Sequence, residues 1–283
     1  MTEPNSVPPS ARGSGASPVV GVDTHAHIFH RGLPLIPGRR YTLDYDATEA
    51  DYLARLAGAG LSHGVLVQPS FLGTDNGYMI DALRRNPGKL KGIAAVDPEI
   101  GGDALDEMDA AGVVGIRLNL IGLPVPDCRA EPWAGLFRKL ADRDWIVEIH
   151  RGAADLSRLL PPILDYGLRV VVDHFGRPDP KLCADDPGFR GLLDLARVGQ
   201  VWVKISAPYR SDADRAAEER MSELLRAAFG PARLLWGSDW PHTQFETRAS
   251  YAGEFAALDY RVPDAAERRR VLVETPAELY RLG

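Results

Sequence analysis

Gly21-Val22-Asp23-Thr24-His25-Ala26-His27-Ile28 is the stretch on which the fold and the chemistry of this chain turn. Val19, Val20 and Val22 form a β-branched run that reads as a buried strand. Asp23, His25 and His27 alternate at its end and share one face if the strand stays extended. Two imidazoles two residues apart at the C-terminal end of a strand can converge on one metal ion or one substrate oxygen. A polar strand end is often only a solvated loop, so the pair gains weight if later strands end in the same way.

They do. Residues 30–46, carrying Arg39, Arg40, Tyr41 and Tyr45, form a long polar loop of the kind that in a compact domain is functional or disordered. A helix over 48–59 follows, with Thr48 and Asp51 spaced as a capping box. A second strand, 64–70, ends in Gln68 and Ser70, and helix 75–85 stops at Asn86-Pro87-Gly88. Strand-like runs recur at 91–96, 113–118, 145–149, 170–173, 201–205 and 234–236, separated by helical segments at 104–111, 132–143, 156–166, 189–198 and 213–229. Strands apolar on both faces belong to a parallel sheet covered by helices. Eight such units in residues 19–283 predict an α/β fold, a (β/α)8 TIM barrel in a single domain. No Gly-x-Gly-x-x-Gly follows the first strand, which counts against a doubly wound dinucleotide fold. Helices near 246–258 and 263–282 close the chain.

Composition narrows the partners. At 283 residues and 45% hydrophobic, the chain has the size and apolar content of one barrel. Its formal charge of −6 argues against nucleic acid, which needs clustered Lys and Arg. A few pocket arginines can still select a small anion. Cys128 and Cys183 form neither a disulfide framework nor a Cys-x-x-Cys pair and read as reduced thiols. Residues 1–18, rich in Pro, Ser and Gly without an apolar core, read as a disordered tail rather than a secretory signal. With no run of membrane-spanning length, the expectation is a cytoplasmic protein with no membrane partner.

Active sites of such barrels gather at the C-terminal ends of the strands. Those ends carry His25 and His27, Gln68 and Ser70, Asp97, Arg117 and Asn119, Glu148 and His150, Asp173, His174 and Arg177, Lys204, Ser206 and Arg210, and Ser238 and Asp239. Of seven histidines, four fall at predicted strand ends, more than a scatter of core or surface histidines would place there. A carboxylate facing several imidazoles supplies both a base for water and an electrophile for an oxyanion, which is what ester hydrolysis needs.

The His-x-His of strand one, Val-Asp-His-Phe-Gly-Arg-Pro of strand six and Trp-Gly-Ser-Asp-Trp-Pro-His of strand eight resemble the amidohydrolase superfamily (amidohydrolase-related family 2). Within it the chain resembles the lactone hydrolases of the 2-pyrone-4,6-dicarboxylate lactonase type, from about Val19 to the C-terminus. The resemblance implies opening of a small lactone, with Asp239 activating water and His25, His27 and His174 around the carbonyl. It also implies work without a metal.

Two departures qualify the substrate. No second arginine follows soon after Arg117, and strand five ends in His150 where that type carries tyrosine. Arg117 also stands near the strand-four position whose lysine or acid bridges two metals in binuclear members, and a guanidinium cannot do that. One divalent ion, zinc by preference, remains compatible with His25, His27, His174 and Asp239, although none is expected to be required. Arg117, Arg177 and Arg210, with Ser70, His150 and Tyr41, are the expected substrate-binding side chains, and the arginines favour a carboxylated lactone. The rival activities are a zinc-dependent decarboxylase or aldonolactone hydrolase of the same superfamily, with His150 completing the metal site. A binder without turnover is disfavoured, because a binder has no need of a base. No oligomeric state follows from the sequence.

Overall fold

The computed structural model describes residues 18–283. The expected tail over residues 1–18 therefore falls, except for Pro18, outside the described residues. Eight strands follow the predicted order: β1 (Val22–Ala26), β2 (His63–Val67), β3 (Leu90–Ala94), β4 (Val113–Asn119), β5 (Ile146–His150), β6 (Arg169–Val172), β7 (Val201–Lys204) and β8 (Leu234–Leu235). Each pairs in parallel with the next. The ring is drawn shut by backbone bonds from Thr24 N to Trp236 O (3.1 Å), His27 N to Trp240 O (2.8 Å) and Asp239 N to His25 O (2.8 Å). Gly237 permits this closure, since a Cβ there would stand 2.5 Å from the Cβ of His25.

The intervening helices are α1 (Glu49–Gly58), α2 (Gly77–Arg85), α3 (Gly102–Ala111), α4 (Trp133–Ala141), α5 (Leu156–Leu164), α6 (Pro187–Asp194) and α7 (Arg215–Phe229). Their apolar faces cover outward residues such as Ile116, Val147 and Val172 in one continuous core. Thr48 caps α1 as its spacing predicts: its hydroxyl accepts from Asp51 N, and Asp51 accepts from Thr48 N at 3.0 Å. Thr48→Ala is expected to cost about 1 kcal/mol in urea unfolding without altering activity. No loss of stability would mean that water replaces the cap. The segment expected as one C-terminal helix over 263–282 is instead α8 (Ala265–Arg269), a π-helical turn (Arg270–Glu274) and α9 (Thr275–Leu279). Among the described residues no helix is long and apolar enough to cross a membrane.

The barrel interior is layered. Val22, Val65, Ile93, Val114, Ile146, Val171 and Leu235 fill one end, and Leu279, Tyr280 and Leu282 pack against them as a plug. Above that apolar floor the inward positions turn ionisable: Arg117, Glu148, Asp173 and Lys204, all buried. In β5 the change is visible as Ile146, Glu148, His150 on the alternating inward positions. One expectation fails here. Asp23 does not share a face with His25 and His27, because the register of β1 shifts between Asp23 and Ala26. Asp23 instead accepts from Ser238 N at 2.8 Å and from Ser238 Oγ at 2.6 Å, tying β1 to the segment after β8. Burial pushes its pKa up to about 6. Val20, read as part of the buried strand, lies before β1 and is exposed.

Candidate active site

Asp239 lies just beyond β8, fully buried. Its Oδ2 accepts from the Tyr209 hydroxyl at 2.7 Å and from Arg210 Nε at 2.6 Å. Its Oδ1 has no hydrogen-bond partner. That oxygen lies 3.8 Å from His25 Nε2, 3.7 Å from His27 Nε2 and 3.7 Å from His174 Nε2. The strand-one pair, the strand-six histidine and the strand-eight aspartate thus meet at one point, as their positions at strand ends predict.

Local backbone conformation does part of this work. His174, Arg177, Asp239 and His242 are all non-glycine residues with φ between 50° and 63°, and all follow β6 or β8. Left-handed conformations cost L-residues energy and gather where function requires a set direction of the side chain. Gly176, at φ 77°, also serves packing: a Cβ there would lie 2.6 Å from Leu192.

Burial sets the charge states. It lowers the pKa of His27, lowers those of His25 and His150 far more, and brings that of His174 down to about 3. The imidazoles are therefore neutral near pH 7. For Asp239 burial acts the other way, yet Arg210 and the facing histidines outweigh it and hold the carboxyl well below the usual range. The site has one ionised oxygen without a partner, ringed by neutral imidazoles. His27 Nδ1 is 2.7 Å from the Val67 carbonyl, which only accepts, so Nδ1 carries the proton and Nε2 turns a lone pair inward. His174 Nδ1 is 3.0 Å from Ser206 Oγ.

By residue type and spacing this cluster matches the donors of a divalent-ion site. Nε2 of His25 and His174 and Oδ1 of Asp239 are buried without partners, and His27 Nε2 and Asp239 Oδ1 present opposing lone pairs that a cation or proton would reconcile. Three imidazoles and a carboxylate form an ordinary zinc donor set. His25, Asp173 and His174 form a second, overlapping group, but Asp173 is already forked by Arg117, Nε at 2.9 Å and Nη2 at 2.7 Å.

A cavity of about 530 Å³, including its open mouth, lies over Asp239 and His27. Arg40, Tyr41, Arg117, Asn119, His150, Arg177, Arg210, Gln244 and Phe245 complete its wall. The arginines divide in a way sequence did not show. Arg117 and Arg210 were expected as free carboxylate clamps, but both are held by acids of the chain, Asp173 and Asp239. Arg177 and Arg40 have no carboxylate partner among the described residues. Burial, with Arg210 nearby, presses the Arg177 pKa down to about 10, which still leaves it charged at neutral pH. Ser70 begins a short 3-10 turn (Ser70–Leu72) and is not among the cavity's lining residues. His150 lines the cavity with both ring nitrogens unpaired, its ring edge-on to His174 at 5.3 Å.

Sequence reasoning assigned no role to Tyr209, His242, Glu148, Asp173 or Lys204. Tyr209 bridges Asp239 and His242 Nδ1 (3.1 Å), and nothing in the local sequence marks it. Glu148, Asp173 and Lys204 stand among the strand-end residues read from the sequence, and their place as charges on the inward positions of otherwise apolar strands is the signal that could have given them a role.

The sequence matches the amidohydrolase family profile over residues 22–282. A crystal structure of a protein from Pseudomonas putida, assigned as a 2-pyrone-4,6-dicarboxylic acid hydrolase, is 42% identical with a TM-score of 0.87, covering 93% of this chain and 97% of that one. One from Acinetobacter baumannii, given the same assignment and carrying bound citric acid, is 38% identical with a TM-score of 0.89, covering 92% and 98%. The 4-sulfomuconolactone hydrolase of Rhizobium radiobacter is 32% identical, over 96% of this chain and 93% of that protein. With the family profile spanning the whole barrel, this chain belongs to the amidohydrolase family.

Proposed function

We propose that the chain is a lactone hydrolase acting on a small carboxylated lactone. One observation carries the reading: the unpartnered, ionised Oδ1 of Asp239 faces three imidazole Nε2 atoms beneath a cavity containing two arginines without acidic partners. The activities assigned to the three relatives named above, hydrolases of acidic lactones, support it.

Asp239 Oδ1 accepts a proton from water as the water oxygen bonds to the lactone carbonyl carbon. His25 and His174 stabilise the resulting oxyanion by donating N–H bonds, whereas His27 turns a bare Nε2 inward. Collapse of the oxyanion breaks the ring C–O bond, and Asp239 returns its proton to the departing oxygen. Tyr209 and Arg210 occupy Oδ2 throughout, leaving Oδ1 as the working atom. Arg177 and Arg40 bind the carboxylate substituents, with Tyr41 and His150 beside them. A neutral aldonolactone would leave both guanidiniums unanswered, which places that rival second. We place the reaction in the cytoplasm, where the free thiols Cys128 and Cys183 persist reduced.

A divalent ion held by His25, His27, His174 and Asp239 would supply Lewis acidity at the carbonyl. The positive charges of Lys204, Arg117 and Arg210 around the same donors oppose a cation. The test is a pH-indicator assay across charged and neutral lactones, with and without chelator. Carboxylated lactones are expected to turn over, and chelator-stripped enzyme to keep most of that activity. Release of carbon dioxide instead of acid would replace the lactonase reading with decarboxylation. One stoichiometric zinc, with activity lost on its removal and restored on its return, would overturn metal independence.

A further inference from the structure

Lys204 is a fully buried lysine inside the barrel, directly behind the cluster of histidines and Asp239. Its Nζ lies 2.5 Å from Glu148 Oε2, 3.5 Å from Asp173 Oδ1 and 2.9 Å from His25 Nδ1. A lysine ammonium has donors and no lone pair. The ring nitrogen it meets must therefore accept. Glu148 Oε1 and Asp173 Oδ1 compete for a proton on the same nitrogen, but at 3.4 and 3.3 Å they stand farther off, and both oxygens lack a hydrogen-bond partner.

We infer that Lys204 is a positioning residue that holds His25 in the Nε2–H tautomer, so that His25 presents a donor to the cavity and is withheld from the ligand set of a cation. His27, two residues along the same strand, is held the other way by the Val67 carbonyl and presents a lone pair. The two histidines of the His-x-His motif therefore do opposite work. His25 donates toward Asp239 and the developing oxyanion, and His27 accepts. An ion entering the site must displace the Nε2 proton of His25 or do without that ligand, against a positive charge 2.9 Å behind the ring.

The inference rests on reading this cluster as the active site, but its test contains no turnover, so its failure and that of the lactonase reading are distinguishable. In metal-free enzyme labelled with 15N-histidine, the His25 resonances are identified by their loss in His25→Asn. The expected pattern for His25 is a protonated Nε2 and a bare Nδ1, with the reverse for His27. Lys204→Met frees Nδ1 to donate to Asp173 or Glu148, so the His25 proton should move to Nδ1. Zinc should then bind about 10-fold tighter or more in competition with a chromophoric chelator, the size of effect typical of groups that orient metal ligands. If Lys204→Met does not fold, the wild-type spectrum decides alone. A wild-type His25 protonated at Nδ1, or a folded Lys204→Met with the wild-type tautomer and zinc affinity, overturns the proposal.

Discussion

Asp239→Asn lowers turnover of a carboxylated lactone by at least ~10²-fold while leaving substrate affinity nearly intact, because the amide keeps the shape of the side chain and removes the proton acceptor. The facing imidazoles replace the carboxylate poorly, because burial lowers their pKa values and two of them owe a ring nitrogen to Val67 or Ser206. Steady-state kinetics separates the outcomes. A fall in kcat with unchanged KM is expected, and retention of most activity removes Asp239 from the mechanism. The substitution also weakens the ion pair with Arg210, so thermal unfolding should show a modest loss while circular dichroism at the assay temperature shows a folded barrel. Loss of fold at that temperature would make the kinetic result uninformative, and Tyr209→Phe, which removes one donor to Oδ2, would then report on the same carboxylate.

Arg177→Met weakens binding of a carboxylated lactone by about 1.5–3 kcal/mol, equivalent to roughly 10- to 100-fold in KM, since a charged hydrogen bond is lost on binding. A neutral analogue should lose little. Arg117→Met is expected to behave differently. Its guanidinium is committed to Asp173, so its removal strands a buried carboxylate and costs about 3–5 kcal/mol of stability. The two variants therefore separate on two axes: substrate charge for Arg177, unfolding midpoint for Arg117. Equal losses on charged and neutral lactones for Arg177→Met would make that arginine structural. An Arg117→Met enzyme of wild-type stability and impaired carboxylate binding would restore Arg117 as a free clamp.

The barrel was legible in the chain because strand and helix are local: β-branched runs alternate with amphipathic segments, and caps or breakers mark boundaries such as Thr48 and Asn86-Pro87-Gly88. The meeting of His25, His27, His174 and Asp239 was legible too, because a parallel barrel sends every strand end to one face. What local sequence could not carry was pairing. Whether Arg117 and Arg210 were free or already bound by Asp173 and Asp239 depends on side chains 56 and 29 residues away. The same holds for Lys204, which reads as one more strand-end charge until the closing barrel sets it against His25, 179 residues distant. Even within β1, a register shift turned Asp23 away from its neighbours, a consequence of pairing with β2 rather than of the strand's own alternation. The residue types and their face of the fold were decided by the sequence itself. The partner of each charge, and so which arginines remain for substrate and which nitrogen of His25 carries the proton, was decided only when the barrel closed, because hydrogen bonds in a buried site are contests between groups that the chain keeps far apart.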